Sequence, residues 1–144
     1  MDGYQVVFEH EVLFRDLDAM GHVNNVAFMA FLEDARVQYW KVLRKVHDLK
    51  GINFILAEVT CRYKTPVYFG ETLLIGIRAR HLGNKSFHFE YRMVDKNSDR
   101  LVVEGSSVQV MYDYEQKQSM PLSEQMRNAM VTLEKVQLAD LASS

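Results

Sequence analysis

The chain is poor in the features that usually announce a function. Of its 144 residues only Cys61 is a cysteine, so no disulfide can form within it, and a reducing compartment is expected. Two prolines and the lack of any low-complexity tract leave nothing that reads as a linker, so residues 1–144 are expected to form one domain. No apolar run is long enough to span a bilayer and no charged-then-apolar leader opens the sequence. The expectation is therefore a cytosolic protein with no membrane partner. A net charge of −2 and the absence of a basic stripe argue against nucleic acid as a partner. The five histidines show no H-x-x-x-H spacing, and one cysteine cannot build a zinc site. No G-x-S-x-G elbow or glycine-rich phosphate loop occurs. Neither metal nor cofactor is expected.

What is present is an ordinary globular composition, 48% hydrophobic and 25% charged, with clear periodicity. From Tyr4 to Phe14, Val6, Phe8, Val12 and Phe14 share one face with His10, which reads as a strand. From Asn25 to about Lys50 the spacing is helical. Phe28, Leu32, Ala35, Tyr39, Val42 and Val46 form one stripe, and Gly51 serves as the stop. The first two turns are apolar on nearly every side, which predicts a helix wrapped by other structure. Four strands follow. The first alternates through Ile55, Ala57, Val59, Cys61 and Tyr63, the second through Leu73, Ile75, Ile77 and Ala79. Gly83-Asn84 turns into a third through Phe87, Phe89, Tyr91 and Met93, and residues 96–99 turn into a fourth from Leu101 to Tyr112. From Pro121 the spacing is helical again through Met126, Met130, Leu133 and Val136. An early helix and a run of strands joined by short turns implies an α+β fold with an antiparallel sheet.

The densest chemistry lies in Phe14-Arg15-Asp16-Leu17-Asp18-Ala19-Met20-Gly21-His22-Val23-Asn24-Asn25, directly before the long helix. A helix start offers unpaired N–H groups and the positive end of a dipole, where negative charge can develop. A carboxylate just upstream fits attack on a polarised carbonyl, and a capped turn explains the same residues equally well.

This segment resembles the D-x-D-x-x-G-H-V-N-N signature of hotdog-fold acyl thioesterases, in particular the 4-hydroxybenzoyl-CoA thioesterase-like group. Tyr63-Lys64-Thr65-Pro66-Val67-Tyr68-Phe69-Gly70-Glu71 is similar to that group's Y-x-x-P-V-x-x-G-[DE] segment, and Gly83-Asn84-Lys85-Ser86-Phe87 to its hairpin before an aromatic strand. The resemblance implies a sheet curled around the central helix. It also implies hydrolysis of an acyl-CoA or acyl-carrier-protein thioester, and a homodimer or homotetramer with the pocket running between the helix and a neighbouring subunit.

It further implies Asp18 as catalytic base or nucleophile, the main-chain N–H of Asn25 as the group that polarises the carbonyl, and His22 beside them. Related plant enzymes carry an asparagine two residues after the aspartate; here that residue is Met20, so the full Asp-Asn-His set is absent. Asp16 is expected to brace the loop, with Asn25 also serving as helix cap. Lys85 and Ser86 match positions that approach the nucleotide end of coenzyme A, and Arg62, Lys64, Arg78 and Arg80 would widen a basic rim. Phe28, Phe31, Tyr39 and Trp40 are candidate pocket walls, and Cys61 a core residue. Two other readings stand beside hydrolysis: a non-catalytic acyl-thioester-binding module, and a dehydratase using His22 with Glu33.

Overall fold

The structure, a computed structural model, describes residues 1–135 and 141. Six strands and two α-helices follow in the order β1 (Val6–Glu11), α1 (Asn25–Arg44), β2 (Phe54–Tyr63), β3 (Thr72–Arg80), β4 (Ser86–Asp95), β5 (Leu101–Asp113), β6 (Gln118–Ser119) and α2 (Glu124–Glu134). A short 3₁₀ turn over Phe14–Asp16 separates β1 from α1. The sheet is antiparallel throughout, ordered β1-β3-β4-β5-β2, with β6 added to β5. Helix α1 lies on one face, where Phe28, Phe31, Leu32, Ala35 and Tyr39 bury against Ile75, Ile77, Phe87, Phe89, Tyr91 and Met93. This is the expected hotdog arrangement of one long helix held in a curled sheet.

Several expectations fail for local reasons. Helix α1 stops at Arg44 because Lys45 takes the left-handed conformation (φ 56°) and its N–H bonds back to Lys41 and Val42; Gly51 sits in a later turn. Val42 leaves the stripe and is 46% exposed. The helix is not wrapped on all sides within one chain, for Val26 is 73% exposed and Ala30, Glu33 and Asp34 are open. Phe14 belongs to the 3₁₀ turn and is 80% exposed, because β1 ends at Glu11.

In β2 a bulge at Ala57 breaks the period-two face. Phe54 pairs with buried Met111 and Leu56 with buried Gln109, whereas beyond the bulge Val59 pairs with buried Ser107. One extra residue thus flips the strand, as bulges do. In the β3–β4 connection the positive φ belongs to His81 (55°), with Gly83 N–H closing the loop on Ser86 O at 2.8 Å. Helix α2 begins after Pro121, with Ser123 as its cap through Met126 N–H at 3.1 Å, and Val136 lies outside the described residues.

Helix α2 is pinned by Glu134. Its buried Oε2 accepts from Tyr39 O–H at 2.8 Å and Ala79 N–H at 2.9 Å, while Arg80 stands 3.6 Å from Oε1. Burial raises the Glu134 carboxyl above its ordinary range, against those hydrogen bonds and Arg80. A carboxyl raised in the folded state stabilises the fold in acid, and that contribution is lost as pH rises through the raised value. Thermal midpoints of wild type and Glu134→Gln should therefore diverge in the variant's favour as pH goes from 5 to 7.5. A constant difference across that range would place the cost elsewhere.

Candidate active site

The loop before α1 is folded by its own polar groups. Asp16 Oδ2 accepts Leu13 N–H at 2.9 Å and lies 2.8 Å from His10 Nε2, while its carbonyl accepts Asn24 N–H at 2.8 Å. Asp16 does brace the loop, and His10 on edge strand β1 is its partner, its ring tilted against Phe31 with centres 4.2 Å apart. Between Leu17 and Val23, which bridge, the chain makes a tight turn. Asp18 N–H donates to His22 O at 3.0 Å and Gly21 N–H to Asp18 O at 3.1 Å. Gly21 has φ 84°, a conformation that a residue with a Cβ adopts only with strain.

A second segment clamps the turn from outside. Val23 N–H donates to Val67 O at 2.8 Å, and His22 bridges Tyr68. Glu71 closes that segment by accepting Tyr68 N–H at 2.8 Å, and both its carboxylate oxygens bond Arg100, whose guanidinium also reaches Pro66 O. The Tyr63–Glu71 motif is thus the buttress of the Asp18 loop.

At the helix start the capping residue is Asn24, whose Oδ1 accepts Val26 N–H at 2.9 Å while its carbonyl accepts Ala27 N–H. Asn25 is the first helical residue, so its expected capping role passes to its neighbour. Its own N–H has no acceptor among the described residues, which leaves one main-chain donor at the positive end of α1. The Tyr63 hydroxyl donates to Asn25 O at 3.0 Å, and its ring sits 5.5 Å from Phe28.

These groups surround a pocket of about 210 Å³ lined by His22, Val23, Asn25, Phe28 and Tyr63 through Pro66. Asp18 stands behind His22, outside that lining. Its Oδ1 is held by Met20 N–H at 2.9 Å, while Oδ2 faces His22 Nδ1 at 3.5 Å, with Val23 O at 3.3 Å from the same nitrogen. The side chains of Asp18 and His22 are 20% and 30% exposed. Oδ2 is therefore the oxygen left without a short hydrogen bond, open to a water or a carbonyl.

The remaining predicted residues divide. Of the four candidate walls only Phe28 lines the pocket. Phe31 turns toward β1, Tyr39 toward Glu134, and Trp40 lies at the far end of α1 beside Phe54. Lys85 and Ser86 are not brought to the pocket within one chain. Tyr63, Val103 and Met93 align at its end of the sheet, whereas Ser86 aligns with Val110 and Ile55, about 23 Å further along β5. Of the supposed basic rim, Lys64 lines the pocket. Arg80 faces Glu134, and Arg62 and Arg78 border a depression on the sheet's other face, with Arg78 bonded to Glu90 at 2.7 Å. Cys61 is half-buried and burial raises its thiol, which suits packing rather than attack. Glu33, needed by the dehydratase reading, lies on the open side of α1. Tyr63 is the residue whose part was missed; only its place in the second motif marked it.

A main-chain donor survives a change of side chain, so Asn25→Ala should retain most of the activity that Asp18→Ala loses. Asn24→Ala, by contrast, removes the cap and should lower stability by about 1 kcal/mol in chemical denaturation. An Asn25 side chain as important as Asp18 would contradict this assignment.

Known proteins similar to this chain share one superfamily. The model of the thioesterase-like superfamily matches residues 12–130. The Bacillus subtilis (strain 168) protein YsmA is 30% identical over 80 residues, 56% of this chain and only 54% of that relative, about half its length. A 1,4-dihydroxy-2-naphthoyl-CoA hydrolase of Thermosynechococcus vestitus is 27% identical over 100 residues, 67% of this chain and 68% of that one. Among solved structures, a Thermus thermophilus thioesterase complexed with coenzyme A and Zn superposes with a TM-score of 0.84 at 29% identity, covering 95% of this chain and 99% of its own. The BH1999 gentisyl-coenzyme A thioesterase gives 0.76 at 25% identity, covering 87% and 99%.

Proposed function

Since the chain belongs to the thioesterase-like superfamily, we propose that it hydrolyses acyl-CoA thioesters at the pocket lined by His22 and Asn25, with Asp18 behind His22. The observation that carries this reading is the unpaired Asn25 N–H at the start of α1, on a pocket lined by His22, behind which the Asp18 carboxylate turns Oδ2 toward the imidazole at 3.5 Å. A thioester carbonyl is electrophilic and its thiolate leaves readily, so little more is required. The carbonyl oxygen takes the Asn25 N–H, where the dipole end of α1 stabilises the negative charge of the tetrahedral intermediate. Asp18 Oδ2 accepts a proton from water as that water attacks the carbonyl carbon. Collapse breaks the C–S bond, and the acid and the thiol depart, the thiolate taking up a proton. His22, between Asp18 and the pocket, orients the carboxylate and the water. Release of thiol from short-chain, long-chain and aryl CoA thioesters, with carrier-protein thioesters as competitors, tests the reading. Binding without release would leave a non-catalytic acyl-thioester module.

The working form is a dimer or larger. Strand β2 is an edge of the described sheet, and it exposes Ile55, Leu56 and Tyr63 at 38%, 42% and 43%. An apolar edge of this length is a template for another strand. Antiparallel pairing of two β2 edges sets the Phe54 end of one copy against the Tyr63 end of the other. The partner subunit's Lys85 and Ser86, at the Phe54 end of its sheet, then approach the pocket of the first copy and supply the cation and hydroxyl for a coenzyme A phosphate. The cytosol, where acyl-CoA is made and used, is the proposed location; among the described residues no helix is long and apolar enough to cross a membrane.

Tyr63 holds the helix start through its hydroxyl, so Tyr63→Phe should slow turnover severalfold with little change in thermal midpoint, since the ring stays against Phe28. An unchanged rate would remove that bond from the account.

A further inference from the structure

Resting on the reading that Lys85 and Ser86 meet a coenzyme A phosphate, we infer that Arg127 of α2 is the positioning residue of that subsite. It clamps the β3–β4 hairpin, residues 82–86, so that the hairpin turns its donors outward. Arg127 lies half-buried one turn into α2, a helix whose start is fixed by the Ser123 cap. Its guanidinium reaches two successive main-chain carbonyls, Nη1 donating to Leu82 O at 3.3 Å and Nη2 to Gly83 O. The planar fork of an arginine more often meets a carboxylate. None of the ion pairs among the described residues involves Arg127, so its charge stays behind the hairpin.

The other acceptors of the hairpin are taken too. Asn84 O accepts Leu122 N–H at 2.8 Å, from the segment that leads into α2, and Lys85 O accepts Met111 N–H at 2.8 Å, from β5. Ser86 O accepts Gly83 N–H at 2.8 Å, and Leu82 N–H donates to Leu141 O at 2.9 Å. Leu82, Leu122 and Met126 are buried beneath these bonds. Every carbonyl of residues 82–86 therefore has a donor from the protein.

The donors are the opposite case. The main-chain N–H groups of Asn84 and Lys85 have no acceptor among the described residues, and both side chains are exposed. The bare Gly83 leaves room for the Ser86 hydroxyl, since a Cβ there would stand 3.3 Å from its oxygen. Successive free N–H groups beside an ammonium and a hydroxyl form an anion-binding concavity. Two carbonyl oxygens without a partner would spoil it by setting negative ends of dipoles beside a phosphate. Arg127 takes up both oxygens and adds attraction for the anion from behind.

The phosphates belong to the thiol that leaves and lie far from the bond that breaks. Arg127 should therefore govern how tightly the CoA part is held and leave cleavage at the Asn25 N–H of the facing copy alone. Interactions with a remote part of a substrate, equal in ground and transition states, are read in KM.

The test uses hexanoyl and benzoyl groups, each carried on CoA and on N-acetylcysteamine, a thiol without phosphate. Arg127→Met should raise KM for the CoA thioesters about tenfold, the worth of a charge-assisted bond, with kcat within about threefold. It should leave kcat/KM for the N-acetylcysteamine thioesters within about twofold, and free CoA should inhibit it about tenfold more weakly than wild type. Arg127→Lys, which keeps the charge but not the fork, should recover part of the loss. Because the clamp acts through the hairpin, Arg127→Met combined with Lys85→Met should fall short of the product of the two single effects. A purely structural arginine would instead slow both kinds of thioester together. That result, or an unchanged KM for the CoA thioesters, would overturn the inference while leaving hydrolysis standing. Lys85→Met with an unchanged KM would remove the phosphate from the hairpin, and this inference with it. If no thioester is turned over, hydrolysis fails as the function and calorimetric titration with CoA decides the clamp. Binding about tenfold weaker in Arg127→Met would uphold it, and equal affinities would overturn it. Should Arg127→Met fail to fold, Arg127→Gln carries the same comparison.

Discussion

Asp18→Asn is expected to lower kcat by a factor of a hundred or more on the best thioester substrate, with the thermal midpoint and the affinity for acyl-CoA little changed. The substitution keeps the size of the side chain, and its amide oxygen can still accept Met20 N–H, so the turn from Leu17 to Val23 should survive. What it removes is the basic oxygen facing His22. Proton transfer by a positioned side chain contributes a hundredfold or more to such reactions, and the loss should fall on kcat because the group acts in the transition state. Retention of more than about a tenth of the wild-type rate would take Asp18 out of the mechanism and turn attention to His22, which lines the pocket itself.

Charging the free edge of β2 should be nearly as damaging, by another route. Ile55→Lys with Leu56→Lys alters two side chains already 38% and 42% exposed, so a single chain should fold with them. Antiparallel pairing sets these two positions against the Tyr63 end of the other β2, which already carries a cation at the partner subunit's Arg62, so the added charges meet like charge and disfavour pairing of the edges. The double variant should run as a monomer of 16.8 kDa in light scattering, where wild type gives at least twice that mass. Its kcat/KM should fall a hundredfold or more, because each pocket then loses the Lys85 and Ser86 proposed to reach it from the partner subunit. A wild type of monomeric mass, or a monomeric variant with full activity, would show that one chain suffices.

The architecture was legible because its signals were local and repeated. Phe87, Phe89, Tyr91 and Met93 alternate without interruption, and so do Leu73, Ile75, Ile77 and Ala79; these strands lie where the alternation put them. Where the period hid a single-residue event it misled. The bulge at Ala57 reverses the face of β2, and Lys45 rather than a glycine ends α1 through a left-handed turn that no composition rule marks. The loop before α1 was legible as a motif but not as geometry. That Asn24 caps the helix and leaves the Asn25 N–H unpaired depends on which of two identical residues starts the helix, a choice made by Asp16 and Val67 holding Asn24 and Val23. The part played by Tyr63 requires β2 and α1 to lie side by side, and the clamp of Arg127 on Leu82 and Gly83 joins residues far apart in sequence. Periodicity assigns each of these residues to a face and says nothing of the face it meets.

The central claim is tested most directly by following free thiol as the wild-type protein is mixed with a panel of acyl-CoA thioesters spanning short, long and aryl acyl groups. The account predicts catalytic release from at least one of them at a rate in the ordinary enzymatic range, about 1 per second or faster. Release no faster than spontaneous hydrolysis across the whole panel, from protein that binds those thioesters, would contradict it.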